Sequence, residues 1–232
     1  MVNYDELPLF PLQTVLYPGM PLPLHIFEPR YLEMIAQCIE HDAAFGVVLI
    51  RSGSEVGAPA EPHTVGTIAR ISHAEELPDG KMNIVVIGES RFKILDLRSD
   101  HSYLTAVASP VADTSDDDAD LPMLHERVCD LFREYLKTQL AMNNRTLSAL
   151  QLPREPSSLA FAVANAIEVP LEEKQALLEL GNTALRLDFE MDLLSREIRS
   201  QVRRPVQADT AKAAGTIHAV DAAEVRALFS RN

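Results

Sequence analysis

The sequence predicts an α+β protein: a small, mostly antiparallel β pseudo-barrel with one helix packed on it, followed by an α-helical bundle. Three observations carry this prediction. The first is a proline-rich apolar opening, Leu7-Pro8-Leu9-Phe10-Pro11-Leu12 and then Val15-Leu16-Tyr17-Pro18-Gly19-Met20-Pro21-Leu22-Pro23-Leu24. Each proline ring fixes φ and removes a backbone donor, so this stretch reads as short edge strands and turns rather than helix. The second is a series of short apolar runs, separated by turn residues, that continues to about Val111. The third is a switch to helical spacing of apolar residues beyond an acidic run, Asp113-Thr114-Ser115-Asp116-Asp117-Asp118-Ala119-Asp120.

Taken in order, the first helix is expected over Glu28 to Glu40. Glu28 can face the free amides of the first turn, Pro29 suits the first helical position, and Tyr31, Met34, Ile35, Cys38 and Ile39 recur at helical spacing. Strands are expected at Phe45 to Ile50, Thr64 to Ser72, Met82 to Ile87, Phe92 to Leu97 and Tyr103 to Val111, with a loop from Arg51 to Pro62. Asp79-Gly80 supplies the positive φ of a tight hairpin. Arg91 reads as part of a bulged strand and as an anchor for a neighbouring loop.

The acidic run has almost nothing to bury and reads as a solvated linker. The expected organisation is therefore a β subdomain at 1–112, a linker at 113–120, a helical bundle at 121–204 and a flexible tail at 205–232. In the bundle, Leu121, Leu124, Val128, Leu131, Phe132, Tyr135 and Leu136 form one stripe. Ser157 or Ser158 can cap a helix through Leu159 to Ile167. Leu171 to Leu180 reads as a helix ended by Gly181, and Asn182 or Thr183 can cap a last helix carrying Leu187, Met191, Leu194 and Ile198 inward. Within the tail, Asp221 to Phe229 is the one stretch with helical character.

Composition narrows the function. The chain has 232 residues, 47% of them hydrophobic, enough for a buried core without the uninterrupted apolar run of roughly 18 residues that a spanning helix needs. The first residues carry Asp5 and Glu6 and no basic region, so the expectation is a cytoplasmic protein. Cys38 and Cys129 are expected as buried thiols rather than a disulfide framework. Lys plus Arg total 21 against 34 Asp plus Glu, so nucleic acid is not an expected partner, because binding its backbone requires basic side chains.

Chemistry-bearing motifs are weak. Gly80-Lys81 is followed by Met82 rather than the Ser or Thr of a phosphate-binding loop, and no Gly-x-Ser-x-Gly elbow is present. The seven histidines lack the spacing of a zinc site; His125 and Cys129 lie four apart, but two ligands do not close a tetrahedral site. No catalytic residue, metal or cofactor is expected.

The opening Leu7 to Leu12, the run His25-Ile26-Phe27-Glu28-Pro29-Arg30-Tyr31, and then Phe45-Gly46-Val47-Val48-Leu49-Ile50, Val65-Gly66-Thr67-Ile68-Ala69-Arg70-Ile71, Leu77 to Val86 and Gly88-Glu89-Ser90-Arg91-Phe92-Lys93-Ile94 occur in an order that resembles the N-terminal, substrate-binding domain of Lon proteases. The resemblance is to the bacterial proteins in which that domain stands alone, without ATPase and protease modules. It is close in the first half and looser at Arg186-Leu187 and Leu193 to Glu197. The fold it implies is similar to the RNA-binding PUA fold, but the acidic balance argues against RNA. The function it implies is non-catalytic recognition of polypeptides, either unfolded or damaged chains or one dedicated protein partner, docking on an apolar groove or a free strand edge. Met20, Leu22, Phe27, Glu28, Arg30 and Tyr31 are the candidate peptide-binding residues. Each also has a structural reading: core or groove floor for the apolar ones, helix-start stabilisation for Glu28 and stacking or a salt bridge for Arg30. The alternative function is that of a small-molecule-binding or hydrolytic protein using a cleft between barrel and bundle.

Overall fold

In the computed structural model, which describes residues 2–54, 60–114, 120–142, 145–147, 150–203, 215–217 and 220–221, the proline-rich opening folds as strands β1 (Leu7–Leu12) and β2 (Pro21–Ile26). Helix α1 (Pro29–Glu40) follows, then β3 (Phe45–Ser52), β4 (Glu61–Pro62), β5 (Val65–Glu76), β6 (Met82–Arg98) and β7 (Thr105–Val111). The pairings β1-β7-β6-β5-β3 close on themselves through a parallel β1–β3 contact, and all the others are antiparallel. The α+β class and the mostly antiparallel barrel are as expected.

Two strands depart from expectation. β1 is a member of the closed ring rather than an edge. It tolerates Pro8 and Pro11 because it hands over from β7 (Leu7↔Ala106, Pro8↔Thr105) to β3 (Leu9↔Gly46 onward), so neither neighbour needs a continuous ladder along it. β6 is a single strand where two were expected. One of its edges carries β2 along Met82 to Ile87 and β7 along Arg91 to Arg98, so the interruption read in the sequence marks a change of partner and not a break in the strand.

The Asp79-Gly80 hairpin forms as read, with Gly80 at φ +78° and Leu77 N donating to Lys81 O at 2.8 Å. Inside the barrel, Leu7, Leu9, Val48, Ile68, Phe92 and Ala106 form the core. The Phe92 ring occupies the space that a Cβ on Gly46 or Gly66 would need, 2.5 Å and 2.9 Å from the nearest ring atom, so these glycines are there for close approach.

The described residues divide into two compact units, Met1–Ala112 with Pro170–Gly181, and Asp113–Val169 with Asn182–Asn232. Helix α4 (Leu171–Glu179) therefore belongs with the barrel, whereas the sequence reading put it in the bundle. Its attachments are long-range and polar. The fully buried Tyr17 donates from its hydroxyl to Lys174 O at 2.8 Å, Gln175 Nε2 donates to Val65 O at 3.0 Å, and Arg91 Nη1 donates to Leu178 O at 2.8 Å and Leu180 O at 2.5 Å. Arg91 thus anchors both the last turn of α4 and the loop that follows it. Gly181 is not in the positive-φ region, and α4 stops at an extended Leu180 instead.

The second unit holds α2 (Leu121–Met142), α3 (Pro156–Ala166) and α5 (Thr183–Arg203), with α5 packed against α2 and α3. Short strands β8 (Arg145–Leu147) and β9 (Leu150–Gln151) pair in parallel with β10 (Gly215–Ile217) and β11 (Val220–Asp221), so two pieces of the expected tail are strands; the rest of that tail, including 222–229, lies outside the described residues. So does most of the acidic run, at 115–119. The cap of α3 is Glu155, not a serine: its carboxylate accepts from Ser157 N at 3.0 Å and Ser158 N at 2.5 Å, with Pro156 in the first turn where its missing donor costs nothing. Asn182 Oδ1 accepts from Leu185 N at 2.9 Å, capping α5.

The core of this unit is largely apolar, and its charged side chains come together at one place. Arg186, with no exposed side-chain surface, donates to Asp113 Oδ1 at 2.9 Å and stacks its guanidinium 4.3 Å from the Phe161 ring centroid. One turn on, Glu190 is also fully buried, and neither carboxylate oxygen has a hydrogen-bond partner. Burial pushes its pKa well above the ordinary 4.5, against an opposing pull from Arg186.

The sign of the resulting pH dependence follows. As pH rises through the ordinary carboxylate range the unfolded chain ionises at this position while the folded chain stays protonated, so stability falls until the folded pKa is passed. Glu190→Leu removes both that slope and an unsatisfied buried group. We expect it to stabilise the protein at pH 7 by about 1–3 kcal/mol and by much less at pH 3, measured by urea unfolding at both values. A gain equal at the two pH values would contradict the assignment.

Candidate functional site

The residues expected to bind peptide do not form one surface. Along β2 the side chains of Leu22 and Ile26 face inward and those of Pro23 and His25 outward, the period-2 alternation of a strand with one covered face. Met20, Leu22 and Tyr31 are 5%, 8% and 5% exposed and so offer a docked chain no surface. Tyr31 lies 4.1 Å from Phe10, ring centroid to centroid, with the Arg30 guanidinium 4.5 Å from its ring centroid. Glu28 makes no capping hydrogen bond; its carboxylate sits 3.0 Å from Arg30 Nη2, so Arg30 has the salt bridge that its structural reading allowed. Phe27 alone of the six is largely exposed, at 48%, and lies beside His25, whose Nδ1 is 2.8 Å from Asn83 Oδ1.

The free edge of β2 is a poor template for an added strand. Met20 O accepts from Gly88 N at 3.0 Å, which fixes the antiparallel alternation so that residues 20, 22, 24 and 26 bond toward β6. Pro21 and Pro23 then occupy outward positions, where the edge has lost two of its donors.

A second edge is better suited. β3 pairs with β5 only at Thr67 to Ala69, and among the described residues nothing pairs with the outer edge of β5 from Ile71 to Glu76. A groove of about 210 Å³ runs between this edge and the end of α1, lined by Cys38, Ile39, Ala43, Ile71, His73 and Ala74. Ile39, expected in the helix's inward stripe, is 44% exposed beside this groove. At its rim Arg70 is ion-paired with Glu89, at 2.5 Å, and lies 3.8 Å from Asp42. The sequence held one signal for this site: after Ala69 the strand pattern runs on as Ile71-Ser72-His73-Ala74-Glu75-Glu76, too polar to be covered.

The two cysteines are free, buried thiols as expected; burial raises Cys38 to about 11 and pushes Cys129 up as well, which makes them poor nucleophiles. His125 lies 4.0 Å from Cys129 Sγ and 3.1 Å from Pro153 O. Among the described residues no group of three or more metal-ligating side chains comes together, and no helix is long and apolar enough to cross a membrane.

The family model of the ATP-dependent protease La (LON) substrate-binding domain matches residues 6–196. Lon protease 2 of Myxococcus xanthus is 30% identical over 204 residues, 85% of this chain and 25% of that protein. Lon protease of Escherichia coli strain K12 is 28% identical over 196 residues, 83% of this chain and 25% of that protein. The chain spans about a quarter of the length of the curated relatives it matches. Among solved structures, a Lon N-terminal domain protein from Xanthomonas campestris superposes with a TM-score of 0.59 at 25% identity, covering 82% of this chain and 97% of that one. The N-terminal domain of Mycobacterium avium complex Lon protease shares the fold, with a TM-score of 0.56 at 20% identity over 82% of this chain and 98% of that one. With its barrel closed by the same motifs that the sequence presented in order, the chain belongs to the Lon substrate-binding domain family.

Proposed function

We propose that the protein recognises polypeptides without catalysing a reaction on them, taking an extended apolar segment along the outer edge of β5 and its side chains into the groove beside Ile39. The observation that carries the reading is the match, over most of the chain, to a domain described as substrate-binding in an ATP-dependent protease. The geometry supports it. An open strand edge offers main-chain hydrogen bonds to any sequence, and a shallow groove of mixed lining adds a modest side-chain preference, which suits a receptor for many unfolded or damaged chains. Glu75 and Glu76 on the same strand keep the edge from pairing with a second copy of itself.

The test is fluorescence anisotropy with labelled ten-residue peptides derived from an unfolded protein. We expect micromolar binding that Ile39→Glu weakens by roughly tenfold, because a carboxylate in the groove must be desolvated, while Phe27→Ala changes it by less than about twofold. The opposite ranking would move the binding surface to the β2–α1 corner. Failure of every peptide to bind would overturn the reading.

A further inference from the structure

We propose that a second cavity, on the other side of α1, receives a guanidinium or primary ammonium group presented by an arginine or lysine of the bound polypeptide. The inference rests on the polypeptide reading above and names the substrate class: segments that pair apolar residues with a basic one. The cavity, of about 440 Å³, lies between the N-terminal segment, α1 and the turn before β7, and its polar lining includes Asn3, Glu6, Gln37, His41, His101 and Tyr103. No lysine or arginine lines it.

Its polar atoms include the Glu6 carboxylate and the Tyr103 hydroxyl oxygen as acceptors, beside the side-chain amides of Asn3 and Gln37. His41 Nδ1 lies 2.9 Å from the Gln37 carbonyl and donates to it, since a carbonyl oxygen only accepts. His101 Nε2 lies 3.0 Å from Glu6 Oε1 and donates to it. Tyr103 donates its hydroxyl proton to Gln37 Oε1 at 2.8 Å and so has no proton left for a ligand. Glu6 has a second carboxylate oxygen for which no hydrogen bond forms among the described residues.

The charge agrees with the hydrogen-bond inventory. Besides burial, the nearby Glu33 and Glu6 carboxylates push the Tyr103 phenol above its usual value, a sign of negative potential in the cavity, and the whole chain carries a net charge of −13. An anion would meet repulsion and no cationic donor. An apolar group would leave these acceptors desolvated and unpaired. A cation rich in N–H donors satisfies both the charge and the acceptors.

The experiment uses three peptides identical except for arginine, citrulline or glutamate at one position, each titrated against the full chain and its Glu6→Gln variant. Glu6 is more than half exposed, so its replacement leaves the core untouched. In parallel, agmatine is titrated while the ring resonances of His41 and His101 are followed by NMR. We expect arginine to bind roughly tenfold more tightly than citrulline, a preference that Glu6→Gln reduces to about twofold or less, and agmatine to shift both rings in the wild type but not in the variant. Equal binding of arginine and citrulline peptides with unmoved rings would overturn the cavity assignment and leave polypeptide binding standing. Ring shifts by agmatine with no peptide bound would do the reverse.

Discussion

Asp113→Ala is expected to destabilise the helical unit by about 3–5 kcal/mol, the cost of removing one partner from a buried ion pair. Arg186 has no exposed surface, and its guanidinium is held on one side by Asp113 Oδ1 and Oδ2, at 2.9 and 3.3 Å, and on the other by the Phe161 ring. Glu190 is a poor substitute for Asp113 as a counter-charge, since burial pushes its pKa well above the ordinary carboxylate range. Thr183 Oγ1 also donates to Asp113 Oδ2, at 3.2 Å, so the same substitution loosens the start of α5.

A specific rescue is expected. In Asp113→Ala/Arg186→Met no charge remains in the core, and a flexible apolar side chain can stack on Phe161, so most of the loss should return. Urea unfolding followed by a probe on α5 measures both variants. A single substitution costing less than about 1 kcal/mol, or a double variant no better than the single, would show that the pair does not hold this unit together.

Much of this architecture is legible in the sequence because the signals are local. Proline excludes helix wherever it falls inside a run, so the opening reads as β; Asp79-Gly80 makes its turn whatever surrounds it; and the period of Tyr31, Met34, Ile35 and Cys38 already says which face of α1 is covered. What escapes is partner choice. That β1 lies in the ring depends on its parallel contact with β3, more than thirty residues away, and nothing in Leu7 to Leu12 encodes it. The assignment of α4 escapes for the same reason. Its helical pattern is plain, but the hydrogen bonds that attach it to the barrel come from Tyr17, Val65 and Arg91.

The candidate site divides along the same line. Apolar residues such as Met20 and Leu22 satisfy a peptide-binding reading and a core reading equally well until a barrel closes over them, whereas the open edge of β5 becomes visible only once β3 is seen to stop pairing at Ala69. A site made by the absence of a neighbour leaves no motif. The cavity beside Glu6 is harder still to read, because its histidines and Glu6 come from three separate stretches of chain that only the fold brings together.

The attachment of α4 gives the second large effect: Arg91→Met should cost about 3 kcal/mol, and Arg91→Lys somewhat less. Arg91 is 3% exposed, and its single Nη1 serves two carbonyls at the end of a helix, the position where a cation also meets the negative end of the helix dipole. Hydrogen bonds from a charged donor are worth about 1.5–3 kcal/mol each, and their loss leaves the Leu178 and Leu180 carbonyls short of a donor in a buried place. Lysine keeps the charge but presents it from a narrower, more strongly hydrated head that costs more to bury. A helix of nine residues cannot persist alone, so losing this clamp should release α4 before the barrel melts. Hydrogen exchange distinguishes this from general destabilisation: α4 amides should lose protection in Arg91→Met while those of β1 and β3 keep theirs. Uniform loss across the barrel would mean that Arg91 supports the core directly. Because Gln175 of α4 also donates to Val65 O at the start of β5, the same variant should weaken peptide capture along that strand even though it lies outside the groove.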